Sequence, residues 1–159
     1  MMDWTDLLRA LHVLGACVLI GTGFGIAFFM SMAHRSGKPE VVAHTASVVV
    51  FADMAFTATA AIAQPITGWL LMQAIGWHYE ETWLILSFGL YVFIGFFWLP
   101  VIFIQTQMRN EAQNSVRTKM PLSARYKRLY RLWLVCGVPA FLAILMLLWL
   151  MVNRPLISF

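Results

Sequence analysis

A few polar side chains interrupt long apolar stretches of the sequence, and these residues are the ones that could carry chemistry. His12 lies in the first apolar run, Asp53 in the second and Gln105 in the third, each among aliphatic and aromatic neighbours. Polar groups are costly in such surroundings, so their presence indicates either a function or a specific structural partner. An imidazole could bind a metal or a haem iron, and a carboxyl could exchange a proton.

His12 is the leading candidate for a metal or haem ligand. It lies roughly 8 Å inside the start of the first run at 1.5 Å per residue, and its helical face carries the small residues Gly15 and Ala16. A porphyrin site needs an imidazole with room beside it. Arg9, one turn earlier, could pair with a haem propionate. The structural alternative is that His12 hydrogen-bonds a neighbouring helix while Arg9 extends to a lipid headgroup.

The remaining histidines and a methionine are weaker candidates for this site. His78, in a turn after the second run, and Met146, at a similar depth in the fourth run, are both possible second ligands opposite His12. His34 is expected to be solvated in a connection between runs. His44 lies on the side of its run opposite Asp53 and is too far from His12 to share one metal ion.

Asp53 is the one carboxyl well inside the apolar runs, and it is the candidate catalytic residue. Burial disfavours the charged form of an isolated carboxyl, and three roles stay open: proton carrier, partner for a cation, or structural hydrogen-bond donor. At about 100° per residue, one stripe of the second run holds Asp53, Thr57, Ala60, Gln64, Thr67 and Gly68. Two of these complete the predicted cofactor-binding set, which is His12, Arg9, Gly15, Ala16, Gln64 and Thr67.

The first and third runs carry similar polar or small stripes, and the fourth run carries none. The stripes are His12, Gly15, Ala16, Leu19, Gly23 and Ala27 in the first run, and Ser87, Tyr91, Trp98 and Gln105 in the third. Three helices are therefore predicted to share a polar interior, with the fourth packed around them. Pro65 removes a backbone hydrogen bond, so the carbonyl it frees must find another donor within the bundle.

The elements that position these residues are predicted to be membrane-spanning helices. Hydrophobic residues make up 61% of the 159 residues and charged residues 11%, against about 45–50% and about 25% in soluble domains. This composition excludes an ordinary soluble enzyme and a disordered chain, and it argues against nucleic acid as a partner. A spanning helix needs about 20 apolar residues, and four runs qualify, over approximately 7–32, 43–75, 83–107 and 129–152. The prediction is one all-α domain over 1–159, an antiparallel up-down four-helix bundle with Cys17 and Cys136 as free thiols.

The basic residues predict how this bundle lies in the membrane. Nine of the eleven Lys and Arg residues fall in the connections after the first and third runs, and such residues favour the cytoplasmic side. Both termini are then on the outer, periplasmic side of a bacterial inner membrane. The basic connection over 108–128 is expected to bind anionic lipids, and Ser123 is predicted to cap the helix that follows.

Several motifs taken together resemble a known family. They are Leu11-His12-Val13-Leu14-Gly15 with Gly21-Thr22-Gly23, then Phe56-Thr57 with Gln64-Pro65 and Thr67-Gly68-Trp69, and Trp98-Leu99-Pro100 with Gln105. The chain resembles, over nearly its whole length, small bacterial four-helix membrane proteins of unknown function. That family is grouped with the HemJ-type protoporphyrinogen oxidases and the CopD copper-resistance proteins.

The resemblance implies haem b bound through His12, which matches the ligand position of the HemJ-type proteins. The later spans lack the further histidine and basic residues of those oxidases, which argues against protoporphyrinogen oxidation. The leading hypothesis is a haem b protein of redox or electron-transfer function. One alternative is a non-catalytic accessory or assembly subunit, or a homo-oligomer, in which the face of Gly21 and Gly25 packs on a partner. Another is a CopD-like copper-handling protein with His12 and methionines as ligands.

Overall fold

The apolar runs of the sequence form long helices. The computed structural model describes residues 3–78 and 80–155, with α1 at Trp4–Ser36, α2 at Pro39–Ala52, α3 at Ala58–Ile75, α4 at Thr82–Thr118 and α5 at Ala124–Asn153. One π-helical turn, Asp53–Thr57, joins α2 to α3 without a break. Four stretches are long and apolar enough to cross a membrane, namely α1, α2 through α3, α4 and α5. The all-helical prediction with four spans is confirmed.

Short turns with characteristic residues separate the helices. Gly37 ends α1 and Gly76 ends α3, with φ of 65° and 79°, a left-handed conformation that glycine adopts without strain. Pro39 begins α2, where its missing N–H costs nothing. The Oγ atom of Ser123 accepts a hydrogen bond of 3.0 Å from the backbone N–H of Tyr126, which confirms the predicted cap of α5.

The basic connection is more helical than the apolar run alone predicts. α4 continues past residue 107 to Thr118 because Met108, Ala112 and Ser115 recur at helical spacing and are buried. The link between α4 and α5 is therefore only residues 119–123. Most basic residues of this region lie on the last turns of α4 and the first turns of α5.

The bundle is closely packed at one end and open at the other. At the end that contains Tyr126, α1, α2, α4 and α5 contribute a buried core that includes Met30, Val42, Met108 and Trp133. At the opposite end, which contains Trp77, α1 packs against α3 and α4 packs against α5. A cavity of about 1140 Å³ is lined by residues of all four of these helices.

Tyr91 supplies the donor that Pro65 makes necessary. A proline at position 65 cannot donate to the carbonyl oxygen of Ala61, one turn earlier. The Tyr91 hydroxyl on α4 donates a hydrogen bond to that oxygen. The carbonyl that Pro65 frees is thereby satisfied from a neighbouring helix, as the sequence predicted, and the contact ties α3 to α4.

His34 is only partly exposed and lies in a helix rather than in a connection, so the prediction for this residue holds only in part. It lies in the last turn of α1, and its ring stacks on Tyr130 of α5 with 3.7 Å between centroids and 7° between planes. Its Nδ1 atom lies 3.3 Å from the Tyr126 hydroxyl oxygen. The cause is that α1 extends beyond its apolar run to Ser36, which brings His34 against α5.

Candidate functional site

His12 is held by side chains of α3. Its Nδ1 atom lies 2.9 Å from the Thr67 hydroxyl oxygen, and its backbone carbonyl oxygen accepts a hydrogen bond of 2.8 Å from Gln64 Nε2. The imidazole is partly buried and forms part of the cavity lining. Three of the predicted site residues, from two helices, therefore meet as the stripe pattern predicted.

Two glycines make this close approach of α1 and α3 possible. A Cβ atom at Gly15 would lie 2.5 Å from Gln64 Nε2, and one at Gly68 would lie 3.1 Å from His12 Cε1. A side chain at either position would displace the Gln64 amide or shift the His12 ring. Of the two small residues predicted beside His12, Gly15 thus serves the helix contact and Ala16 lines the cavity.

Two arginines line the cavity at its Trp77 end. Arg9 also forms an exposed ion pair with Asp6, with 3.3 Å between Nη1 and Oδ1. Arg154, after α5, places its guanidinium carbon 4.5 Å from the centroid of the Trp77 ring. Sequence reasoning found Arg9 through its spacing from His12 but not Arg154, because the contact of Arg154 depends on how α5 packs.

The two proposed second ligands are not brought to His12. His78 is exposed in the turn after α3, and Met146 is 58% exposed on α5; neither is among the described residues that line the cavity. The methionines that do line it are Met72 and Met151. Within residues 3–78 and 80–155, no group of three or more His, Cys, Asp or Glu side chains could hold a metal ion.

Asp53 lies inside the bundle at the other end of the same cavity. It is 3% exposed, so the prediction that it points into the bundle is confirmed. Its Oδ1 atom accepts a hydrogen bond of 3.3 Å from Trp98 Nε1. With the Gln105 amide oriented so that its nitrogen faces Asp53, that nitrogen donates to Oδ2 at 3.1 Å, and the amide oxygen accepts from Trp133 Nε1 at 3.1 Å. Both carboxyl oxygens are therefore acceptors in a chain that joins the π-helical turn, α4 and α5.

Trp133 is a member of this site that the sequence analysis missed. The fourth span was predicted only to pack around the others, yet Trp133 completes the Gln105 hydrogen bonds and lines the cavity with Gly137 and Ala140. A signal was present, because an indole N–H in an apolar run must find an acceptor when it is buried. Trp133 is 4% exposed.

The π-helical turn places Asp53 beside Thr57. In this turn the backbone N–H of Ala58 bonds to the carbonyl oxygen of Asp53, five residues back. Such turns are rare in proteins, and those that occur are often at functional sites. Thr57 is 8% exposed, and its hydroxyl, close to the Asp53 carboxyl, forms no hydrogen bond of acceptable geometry with the described residues.

The fold and the site together define a multi-pass integral membrane protein with a large apolar cavity between its helices and two polar sites in the cavity wall. Residues 6–155 match the model of the family described as predicted integral membrane protein (DUF2269). The chain therefore belongs to that family. No curated protein and no solved structure matches the chain.

Proposed function

We propose that the protein binds haem b and has a redox or electron-transfer role in the membrane, with His12 as an axial ligand. The carrying observation is the pair of hydrogen-bonded atoms His12 Nδ1 and Thr67 Oγ1, 2.9 Å apart beside the cavity. The resemblance to HemJ-type and CopD proteins supports the same proposal, because His12 matches the haem-ligand position of the HemJ-type proteins.

The Thr67 hydroxyl favours the tautomer of His12 that binds iron. Thr67 Oγ1 lies 2.8 Å from the Ala63 carbonyl oxygen, to which it donates. Having used its proton there, the hydroxyl accepts from Nδ1–H of His12. This tautomer leaves the lone pair on Nε2, which has no hydrogen-bond partner in the described part of the chain. A ligating histidine whose other ring nitrogen donates to a fixed acceptor is the usual arrangement at metal sites.

The cavity fits a porphyrin in size, polarity and charge. Its volume of about 1140 Å³ lies just above the range for most ligand sites, about 300–1,000 Å³. Arg9 and Arg154 line its Trp77 end and would pair with the two propionates. Ala16 and Gly68 leave room beside His12. A bound haem would supply one-electron redox chemistry, and the protein would supply the ligand, the dry surroundings and the cations.

An absorption spectrum tests the proposal. The protein is expressed in haem-replete cells, purified in detergent and measured before and after reduction with dithionite. We expect a Soret band and, after reduction, resolved α and β bands, with near one haem per chain by pyridine haemochrome assay. A colourless protein that also takes up no added haemin would overturn the proposal.

Gly68→Ala is expected to cause a partial loss of haem. The new Cβ atom would lie 3.1 Å from His12 Cε1, so the imidazole must shift slightly from its position beside Thr67. Metal sites typically lose about 10–100-fold in affinity when the partner of a ligating histidine is disturbed. The measurement is haemin titration, with Gly89→Ala as control because a Cβ at Gly89 meets nothing within 4 Å. Equal affinities for the two variants would contradict the predicted position of the ligand.

A second candidate function is that of an accessory or assembly subunit. A Cβ atom at Gly21 would meet nothing within 4 Å, and one at Gly25 would meet only Phe29 of the same helix. This face of α1 is therefore not used for packing among the described residues, and it is available to a membrane partner or a second copy of the chain. Cross-linking through cysteines placed at Gly21 and Gly25 in native membranes tests this candidate.

The proposed setting is a bacterial inner membrane, with an up-down arrangement of the spans and both termini outside. The excess of Lys and Arg near residues 35–38 and 109–131 supports this orientation, and it would place these residues against anionic lipid. In a variant without Cys17 and Cys136, a membrane-impermeant maleimide should label a cysteine at Asn153 and not one at Gly37 in intact cells. The reverse pattern would contradict the orientation.

A further inference from the structure

The Thr57 hydroxyl differs from six other helical hydroxyls among the described residues. Those of Ser47, Thr59, Thr67, Ser87, Thr106 and Thr118 each donate to the carbonyl oxygen four residues earlier. The Thr57 hydroxyl has no such bond to the carbonyl oxygen of Asp53, which in the π-helical turn accepts from the backbone N–H of Ala58. The nearest polar group is the Asp53 carboxyl, with which the hydroxyl makes no well-formed hydrogen bond. A buried hydroxyl in this state costs free energy, and an acceptor on a ligand in the cavity would satisfy it.

Thr57 can offer its hydroxyl to the cavity at little cost. The residue forms part of the cavity lining, although its Oγ1 atom is enclosed in the present side-chain conformation. Threonine in helices divides between two χ1 rotamers. Because no hydrogen bond of acceptable geometry fixes the hydroxyl, a χ1 rotation toward the cavity breaks none.

The surroundings of Thr57 select a neutral, planar, lipid-soluble ligand. The cavity wall near it is apolar apart from the Asp53 network, and it includes the aromatic side chains of Tyr91, Trp98 and Trp133. Arg154 lies near Trp83, and Trp98 is roughly 22 Å further along α4 at 1.5 Å per residue. A phospholipid headgroup at Thr57 would therefore have a carboxyl as its neighbour and neither cavity arginine as a partner.

We propose that this end of the cavity binds the headgroup of a membrane quinone, with a quinone carbonyl oxygen accepting a hydrogen bond from the Thr57 hydroxyl. The ring would pack against the indoles of Trp98 and Trp133, and the apolar tail would leave through the opening of the cavity toward lipid. Binding at Thr57 does not require haem at His12, so a negative result at one site leaves the proposal for the other site unchanged.

Quenching of tryptophan fluorescence by decylubiquinone tests this site. With the protein in lipid nanodiscs, we expect saturable quenching above the linear background of quinone dissolved in lipid. Thr57→Val should raise the half-saturating concentration by about three- to tenfold, the effect of one hydrogen bond. The variant should fold normally, because the hydroxyl makes no well-formed hydrogen bond with the described residues.

Thr59→Val is the matched control, since it lies in the same helix, is exposed and donates only to its own backbone. It should leave the half-saturating concentration unchanged. Equal affinity of the Thr57→Val and Thr59→Val variants would overturn the proposal. So would Thr57-dependent quenching by a brominated phosphatidylcholine with none by the quinone, because that result would identify a lipid site.

Discussion

His12→Ala is expected to abolish haem binding while leaving the helical bundle folded in the membrane. The substitution removes the proposed ligand, but few contacts of the protein depend on the imidazole. Gln64 bonds to the backbone carbonyl oxygen of His12, which alanine retains, and Thr67 keeps its bond to Ala63. The measurement is Soret absorbance per protein, with circular dichroism to check helicity.

Three comparisons separate loss of the ligand from general damage. His44→Ala removes an exposed histidine near the start of α2 and should retain full haem content. Thr67→Val should give an intermediate loss, because it keeps the ligand and removes its partner. Added imidazole should restore part of the haem in His12→Ala by entering the vacated space. Full Soret absorbance in His12→Ala would show that another residue binds the iron.

Periodicity predicted most of the positions that meet in the cavity. Asp53, Thr57 and Gln64 of the second span are all buried on the predicted face, and Trp98 of the third span lines the same cavity. These residues could be found because a polar side chain in an apolar helix must face the interior, and helical geometry then fixes its neighbours.

What the sequence could not supply depends on packing between distant elements. The π-helical turn at Asp53–Thr57 follows from no local motif, and the contacts of Trp133 and Arg154 require the position of α5. His34 shows the same limit, since its partners Tyr126 and Tyr130 are about 90 residues away in the chain. Apolar periodicity identifies a buried face but does not say which helix covers it.

Asp53→Leu is expected to be the most destabilising substitution at the end of the cavity that contains Asp53. Leucine offers no acceptor, so Trp98 Nε1–H and the Gln105 amide N–H lose their partners. Each stranded donor costs about 1–3 kcal/mol. Denaturation of the purified protein in detergent, followed by circular dichroism, measures the loss. Glu40→Leu is the control, because Glu40 is an exposed carboxyl in the first turn of α2; an equal effect of both variants would contradict the predicted network.

Asp53→Asn distinguishes a structural role from proton exchange. The sequence alone predicts a nearly silent change if Asp53 is structural, but both oxygens of Asp53 are acceptors, and asparagine offers only one. Turning the Gln105 amide to suit the asparagine would break the hydrogen bond from Trp133. The free energy of unfolding is therefore expected to fall by about 1 kcal/mol.

In a Gln105→Leu background the Gln105 donor to Asp53 is already absent. Both Asp53 substitutions should therefore lower the free energy of unfolding by less than they do in the wild type. If Asp53 carries protons, Asp53→Asn should retain haem and fold yet lose turnover with a redox partner, because an amide does not exchange a proton at neutral pH. Strictly additive effects of the Asp53 and Gln105 substitutions would show that the two side chains do not interact. The chain from Trp133 to Asp53 would then have no part in holding the π-helical turn, α4 and α5 together.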